Sequence, residues 1–397
     1  MIKLSENTQR IEESATMAIT ARAKAMKKAG EDVIALAAGE PDFSTPDHIV
    51  EAAKQALDEG FTRYTPVSGM PELRAAWAEQ IARKRGVSYQ PNQLIVTAGG
   101  KQSLFNVIYA LVDAGDEVII PAPYWVSYPE QVRAIGGTPV ILDAAADQDF
   151  KISPQALRQA ITDRTRLVIL NSPSNPTGSV YTRDELVALA DVLVEKQVPV
   201  ISDEVYDELV YGTEFASIAS LGDDIYDLTI ISGAVSKTYA MTGWRIGYAA
   251  GPTEVIAAAG RLQSHSTSGA NSVAQKAALV AITGDQSTVE VMRKEFDRRR
   301  QVMLQRLRAM PDITCAEPHG AFYAFPRILA HYGRRYDGEV VDGSMAFSRL
   351  LLEREKVATI PGLAFGNDAH VRLSYATGMA QIEESMNRLE RFLSRLE

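Results

Sequence analysis

The chain has 397 residues, 46% of them hydrophobic, which is enough for about two or three well-packed domains and too apolar for a disordered or fibrous protein. Its 41 Lys and Arg stand against 50 Asp and Glu, a net charge of −9, so no general basic field is present for a nucleic-acid backbone. A single cysteine, Cys315, excludes an internal disulfide framework and any multi-thiolate metal or iron–sulfur site, and it fits a reducing compartment. The start, MIKLSENTQR, is polar, and no stretch approaches the ~18 uninterrupted apolar residues of a membrane span. The expectation is a soluble cytoplasmic protein.

From about Glu51 to Pro252, helical periodicity alternates with short apolar runs bounded by Gly, Pro or Asp. That is the pattern of βα units around a largely parallel sheet. In chain order the spacing predicts helices at Pro46–Asp58 and Pro71–Arg85, a strand at Leu94–Thr97, a helix at Gln102–Val112, and strands at Glu117–Ile120 and Thr138–Leu142. A helix at Pro154–Ile161, a strand at Leu167–Leu170, a helix at Thr182–Glu195 and strands at Val198–Ser202 and Leu228–Ser232 follow. Continuous Val/Ile/Leu runs suit strands covered on both faces. Beyond Pro252 come long helices at Glu254–His265, Ser272–Thr283 and Val289–Arg308, then short strands at Ile313–Cys315, Phe322–Phe325, Val357–Ile360 and Val371–Ser374, and a last helix at Met379–Leu396. The reading is α/β: a large domain at 46–290, and a smaller α+β domain made of 1–45 plus 291–397.

Several common chemistries lack their signatures. No G-x-G-x-x-G follows a predicted strand, Gly99-Gly100-Lys101 lacks the upstream Gly and the following Ser/Thr of a P-loop, and no Ser sits in a G-x-S-x-G elbow. The five histidines, at 48, 265, 319, 331 and 370, show no metal-ligating spacing, so no metal is expected.

Three polar segments stand at the C-terminal ends of predicted strands, where open α/β sheets bind ligands. In Asn171-Ser172-Pro173-Ser174-Asn175-Pro176-Thr177-Gly178, an Asn carboxamide can donate to an oxygen of a bound ring. In Ser202-Asp203-Glu204-Val205-Tyr206, a carboxylate aimed into a crevice can hold a ring nitrogen protonated, with the Tyr206 phenol near the same ligand. In the segment Ser236-Lys237 to Tyr248, a lysine desolvated by apolar neighbours loses basicity and its amine can attack an aldehyde to form a Schiff base. Arg245, between Gly243 and Gly247, suits a phosphate dianion.

With these segments stand Ala38-Gly39-Glu40-Pro41-Asp42-Phe43, Tyr64-Thr65-Pro66 with Gly69, Gly99-Gly100-Lys101-Gln102, Pro123-Tyr124-Trp125-Val126-Ser127-Tyr128 and Val371-Arg372-Leu373-Ser374-Tyr375-Ala376. In this order, over nearly the whole chain, the sequence resembles the fold-type I pyridoxal-phosphate-dependent aminotransferases of class I/II, and within them the bacterial, thermophile-type aspartate aminotransferases. The resemblance implies a large domain with a mixed, mostly parallel seven-stranded sheet sandwiched by helices, beside the smaller α+β domain. It implies pyridoxal 5′-phosphate held on Lys237 as a Schiff base, with Lys237 also moving the substrate proton. Asp203 faces the ring nitrogen, Asn175 and Tyr206 the ring oxygen, and Trp125 the ring face. Gly100, Lys101, Arg245 and Ser236 surround the phosphate, joined by Tyr64 of a neighbouring subunit, so the implied unit is a homodimer with shared sites.

For the substrate, the resemblance implies Arg372 and the Gly39 amide at the α-carboxylate, Lys101 at the distal carboxylate of aspartate or glutamate, and Trp125 and Asn175 beside it. The implied activity is ping-pong amino transfer between such an amino acid and 2-oxoglutarate or oxaloacetate, without a nucleic-acid or membrane partner. An aromatic, alanine or prephenate-type aminotransferase, or a lyase of the same fold, stays open. Three departures bear on this. Ala234 stands where relatives carry Gly or Ser, Ser266–Asn271 has Gly-Ala in place of a Pro-containing turn, and Glu12-Glu13 puts acid into the segment shaping the side-chain pocket.

Overall fold

The computed structural model describes residues 2–12 and 15–397. Its central sheet has seven strands: β1 Leu94–Thr97, β2 Glu117–Ala122, β3 Thr138–Asp143, β4 Thr165–Asn171, β5 Val200–Asp203, β6 Thr229–Ala234 and β7 Gly247–Ala250. Across the sheet they run β1-β7-β6-β5-β4-β2-β3, and only the two pairings of β7 are antiparallel. Helices on both faces explain why Val118, Ile119, Ile120, Leu167, Val168, Val200 and Ile201 are all buried.

The predicted helices form where caps and periodicity place them. Pro71–Arg85 opens on proline and ends at Gly86, whose φ of 68° suits a residue without a Cβ. Arg183–Lys196 starts on a reciprocal Thr182/Glu185 capping box. The helix Ser287–Ala309 joins two cores. Val289 packs with the cluster of Leu94 and Tyr248, whereas Met292, Phe296, Met303 and Leu307 pack with Phe322, Phe347 and Phe392. In that second region Val371–Ser374 lies between Ile360–Pro361 and Tyr323–Ala324, antiparallel to both, and Ile34–Ala35 pairs with Val357–Ala358.

Four elements depart from the sequence reading. Ile313–Cys315 forms only a single-residue bridge from Thr314 to Arg327, because Asp312, at φ 61°, turns the chain just before it. The strand β7, GYAA, has no β-branched residue to signal it, yet it closes the sheet between β1 and β6, with Gly247 leaving room for the Gly99–Gly100 turn. Helices Ala15–Lys28 and Ser127–Ala134 were also absent from the expected set. Of the expected acidic pair Glu12-Glu13, Glu13 lies outside the described residues, as does Ser14.

Parallel register sets the functional edge. Asn171 pairs with Asp203, and Asp203 with Ser232, so the ends of β4 and β5 align beside the last residues of β6. At the same edge Gly247 pairs with both Thr97 and Ala234, which brings the Gly99–Lys101 turn against the start of the Lys237 segment.

Candidate active site

A cavity of about 560 Å³ opens at this edge. Gly39, Gly100, Lys101, Trp125, Asn175, Asp203, Tyr206, Ser236, Lys237, Arg245 and Arg372 all line it, although they come from segments up to 333 positions apart, between 39 and 372. Tyr64 does not; its side chain is 94% exposed on the loop before helix Pro71–Arg85. The Ser266–Asn271 turn packs beside that loop, with the position of a Gly269 Cβ lying 3.5 Å from the Val67 carbonyl.

Lys237 sits on the one-turn helix Val235–Thr238 that follows β6, and its ammonium donates to the Gly39 carbonyl. Burial lowers its pKa to about 8; Glu40 opposes that shift, and Arg372 and Arg245 reinforce it. Asp203 ends β5 and is buried. Burial raises its carboxyl to about 6 even though the Tyr128 hydroxyl donates to Oδ2 at 2.7 Å and the Val205 amide to Oδ1 at 3.3 Å. Desolvation outweighs two donors, so this carboxylate lacks a cationic partner at contact distance. Lys101 stands 4.8 Å over the Trp125 ring, its pKa lowered by burial and then by Arg245.

Arg372 is a buried guanidinium. It donates to Asn175 Oδ1 at 2.8 Å and to the Ala37 carbonyl at 3.0 Å, and its Nε has no partner although it is shut off from solvent. An unfilled donor on a buried cation marks a place for an anion. Tyr323 and Phe365 flank it, with the guanidinium carbon 4.4 Å and 5.1 Å from their ring centroids. Opposite, helix Gly100–Leu111 opens on Gly99 at φ 83°, so the amides of Gly100 and Lys101 have no intrahelical acceptor. The Arg245 guanidinium lies over this turn, where a Gly99 Cβ would project into it, and Gly247 meets the turn so closely that its own Cβ would lie 2.5 Å from the Gly100 nitrogen. Ala234 lines the same floor and brings no hydroxyl.

Among the described residues, Lys24, Lys101, Lys237, Arg245 and Arg372 line the cavity without an ion pair to a carboxylate. That is a concentrated positive field in a protein of net charge −9. These donors fit pyridoxal phosphate: a cradle of free amides with Arg245 for the phosphate, a buried carboxylate for a ring cation, Tyr206 and Asn175 beside it, and an amine of lowered pKa. Arg372 is left for a separate anion.

Sequence reasoning assigned no role to Tyr128, Tyr323, Phe365, Asn171 or the helix face Thr20, Ala21 and Lys24, all of which line the cavity. Tyr128 stood inside a recognised motif, so its hydroxyl was a readable signal. Tyr323 lay in a predicted strand, where alternation alone could not tell which face the cavity would use.

Comparison with known proteins places this geometry. The family described as "Aminotransferase class I and II" matches residues 31–389. An aspartate aminotransferase of Geobacillus stearothermophilus is 48% identical over 396 residues, covering 99% of both chains. An aspartate/prephenate aminotransferase of Cereibacter sphaeroides is 47% identical, covering 100% of both. Among solved structures, the aspartate aminotransferase from Rhizobium meliloti superposes with a TM-score of 0.97 at 40% identity over 100% of both chains. The Thermus thermophilus aspartate aminotransferase with maleate gives 0.93 at 42% identity, covering 98% of this chain and 100% of that one.

Proposed function

Because the chain belongs to the class I and II aminotransferases, we propose that its cavity carries out ping-pong amino transfer between aspartate or glutamate and a dicarboxylic 2-oxo acid, with pyridoxal 5′-phosphate as cofactor. The observation that carries the substrate class is the unpaired cation set: with Arg245 at the phosphate and Lys237 as the reacting amine, Arg372, Lys101 and Lys24 remain, enough for the two carboxylates of a dicarboxylic substrate. Maleate, named with the Thermus relative, is itself a dicarboxylate.

When bound, the cofactor supplies an aldehyde for an amine to condense with and a ring that accepts the electron pair released at the substrate α-carbon. Gly100, Lys101, Ser236 and Arg245 hold its phosphate, Asp203 keeps its ring nitrogen protonated, Asn175 and Tyr206 donate to its ring oxygen, and Trp125 covers its face. Tyr128 orients Asp203 through the 2.7 Å hydrogen bond. Lys237 Nζ, its pKa lowered by burial to about 8 and so neutral in a larger fraction than an ordinary lysine, takes the α-proton in its neutral form and returns it on the other side of the transfer. Arg372 and the Gly39 amide fix the α-carboxylate and so the direction of the Cα–H bond. The same cavity takes donor and acceptor in turn.

The domain division at 46–290 and 1–45 plus 291–397 is part of this proposal, as is a cytoplasmic homodimer in which Tyr64 reaches the neighbouring phosphate. In support, Tyr64 is almost fully exposed and unused by its own cavity. Among the described residues no helix is long and apolar enough to cross a membrane. The aspartate/prephenate relative makes prephenate the second acceptor to consider. A panel of amino donors, run with wild type and Lys101→Ala, tests the reading. Aspartate and glutamate should lose about 10-fold or more in kcat/KM in the variant while alanine changes little. Equal losses for both classes would refute the role of Lys101, and a wild type preferring alanine or aromatic donors would refute the substrate class.

A further inference from the structure

Tyr323 is wholly buried on the strand Tyr323–Ala324, in register with Ser374, two residues beyond Arg372 on the same strand. Its phenol oxygen lies 2.9 Å from that of Tyr206, with no other side-chain or backbone partner among the described residues. Its ring face carries the Arg372 guanidinium at 4.4 Å. One side chain thus touches the group proposed to serve the cofactor oxygen and the group proposed to serve the substrate carboxylate.

The two phenols share one hydrogen bond, so only one of them donates in it. When Tyr206 spends its proton on an acceptor in the cavity, its oxygen must accept, and Tyr323 is the donor in reach. A phenol that accepts a hydrogen bond becomes a stronger donor in turn. On the other face, cation–π attraction in a desolvated site holds the guanidinium plane.

We propose that Tyr323 is a positioning residue for the reaction: through its hydroxyl it commits the Tyr206 proton to the cofactor oxygen, and through its ring it holds Arg372 ready for the α-carboxylate. This rests on the functional reading above.

The test is an absorbance pH titration of the cofactor-loaded protein, with maleate affinity read from the same signal. Donation to the ring oxygen lowers the pH at which the bound chromophore changes protonation. Tyr323→Phe should therefore raise the midpoint by about half to one pH unit and leave maleate affinity within about twofold, since the ring remains. In a Tyr206→Phe background the same substitution should shift the midpoint no further, which a general structural disturbance would not reproduce. Tyr323→Leu should in addition weaken maleate about three- to tenfold and raise KM for aspartate more than it lowers kcat. An unchanged midpoint in Tyr323→Phe, or an equal shift in both backgrounds, overturns the proposal; should Tyr323→Leu fail to fold, the phenylalanine pair still decides. A wild type with no visible band on adding cofactor would overturn the functional reading itself, a result distinct from either.

Discussion

Asp203 gives the most quantitative prediction. In the cofactor-free protein its carboxyl is raised from an ordinary 3.8 to about 6, with burial as the main cause. At roughly 1.36 kcal/mol per pH unit, that difference amounts to about 3 kcal/mol of folding free energy. The folded chain binds this proton more tightly than the unfolded one. Stability from this group is therefore present below about pH 4, is lost as pH rises to about 6, and stays lost above. Asn does not titrate and keeps both contacts: its oxygen can accept from Val205, and its amide can donate to the Tyr128 hydroxyl. Cofactor-free Asp203→Asn should be more stable than wild type at pH 8, by up to about 3 kcal/mol, with the gap closing towards pH 4. Urea unfolding at fixed protein concentration across that range measures it. With cofactor present the order should reverse, because the wild-type charge then has a cationic partner. A gap that does not vary with pH, or a wild type more stable at pH 8 without cofactor, would refute the reasoning.

Two further substitutions probe the two anion sites. Arg372→Lys removes the planar fork while keeping the charge, so KM for aspartate should rise about 10-fold or more with cofactor loading unchanged; steady-state kinetics and the cofactor spectrum read the two quantities. Gly247→Ala projects a methyl to 2.5 Å from the Gly100 nitrogen and 2.6 Å from the Gly99 carbonyl carbon, contacts that backbone cannot yield cheaply. It should cost about 1–3 kcal/mol in stability and weaken cofactor binding in equilibrium dialysis, whereas Gly243→Ala, with open space around it, should do neither.

The sheet was readable because its strands are buried on both faces: Leu94–Thr97, Leu167–Leu170 and Leu228–Ser232 are apolar runs with clear punctuation, and the observed strands fall on them within a few residues. The strand β7 was not, since Gly247 earns its place by having no side chain against Gly99 and Gly100, a tertiary fact invisible to periodicity. The polar ends of β4 and β5 were visible as candidates, and their register placed Asn171 beside Asp203. The contact of Tyr206 with Tyr323 depends on how the second core closes over the sheet edge. No local pattern in sequence encodes that closure.

The most direct measurement is borohydride reduction of the cofactor-loaded protein followed by peptide mass spectrometry. The expected result is a reduced pyridoxal phosphate adduct on the peptide carrying Lys237 and on no other lysine, lost in Lys237→Ala. An adduct confined to Lys24 or Lys101, or none at all, would contradict the account.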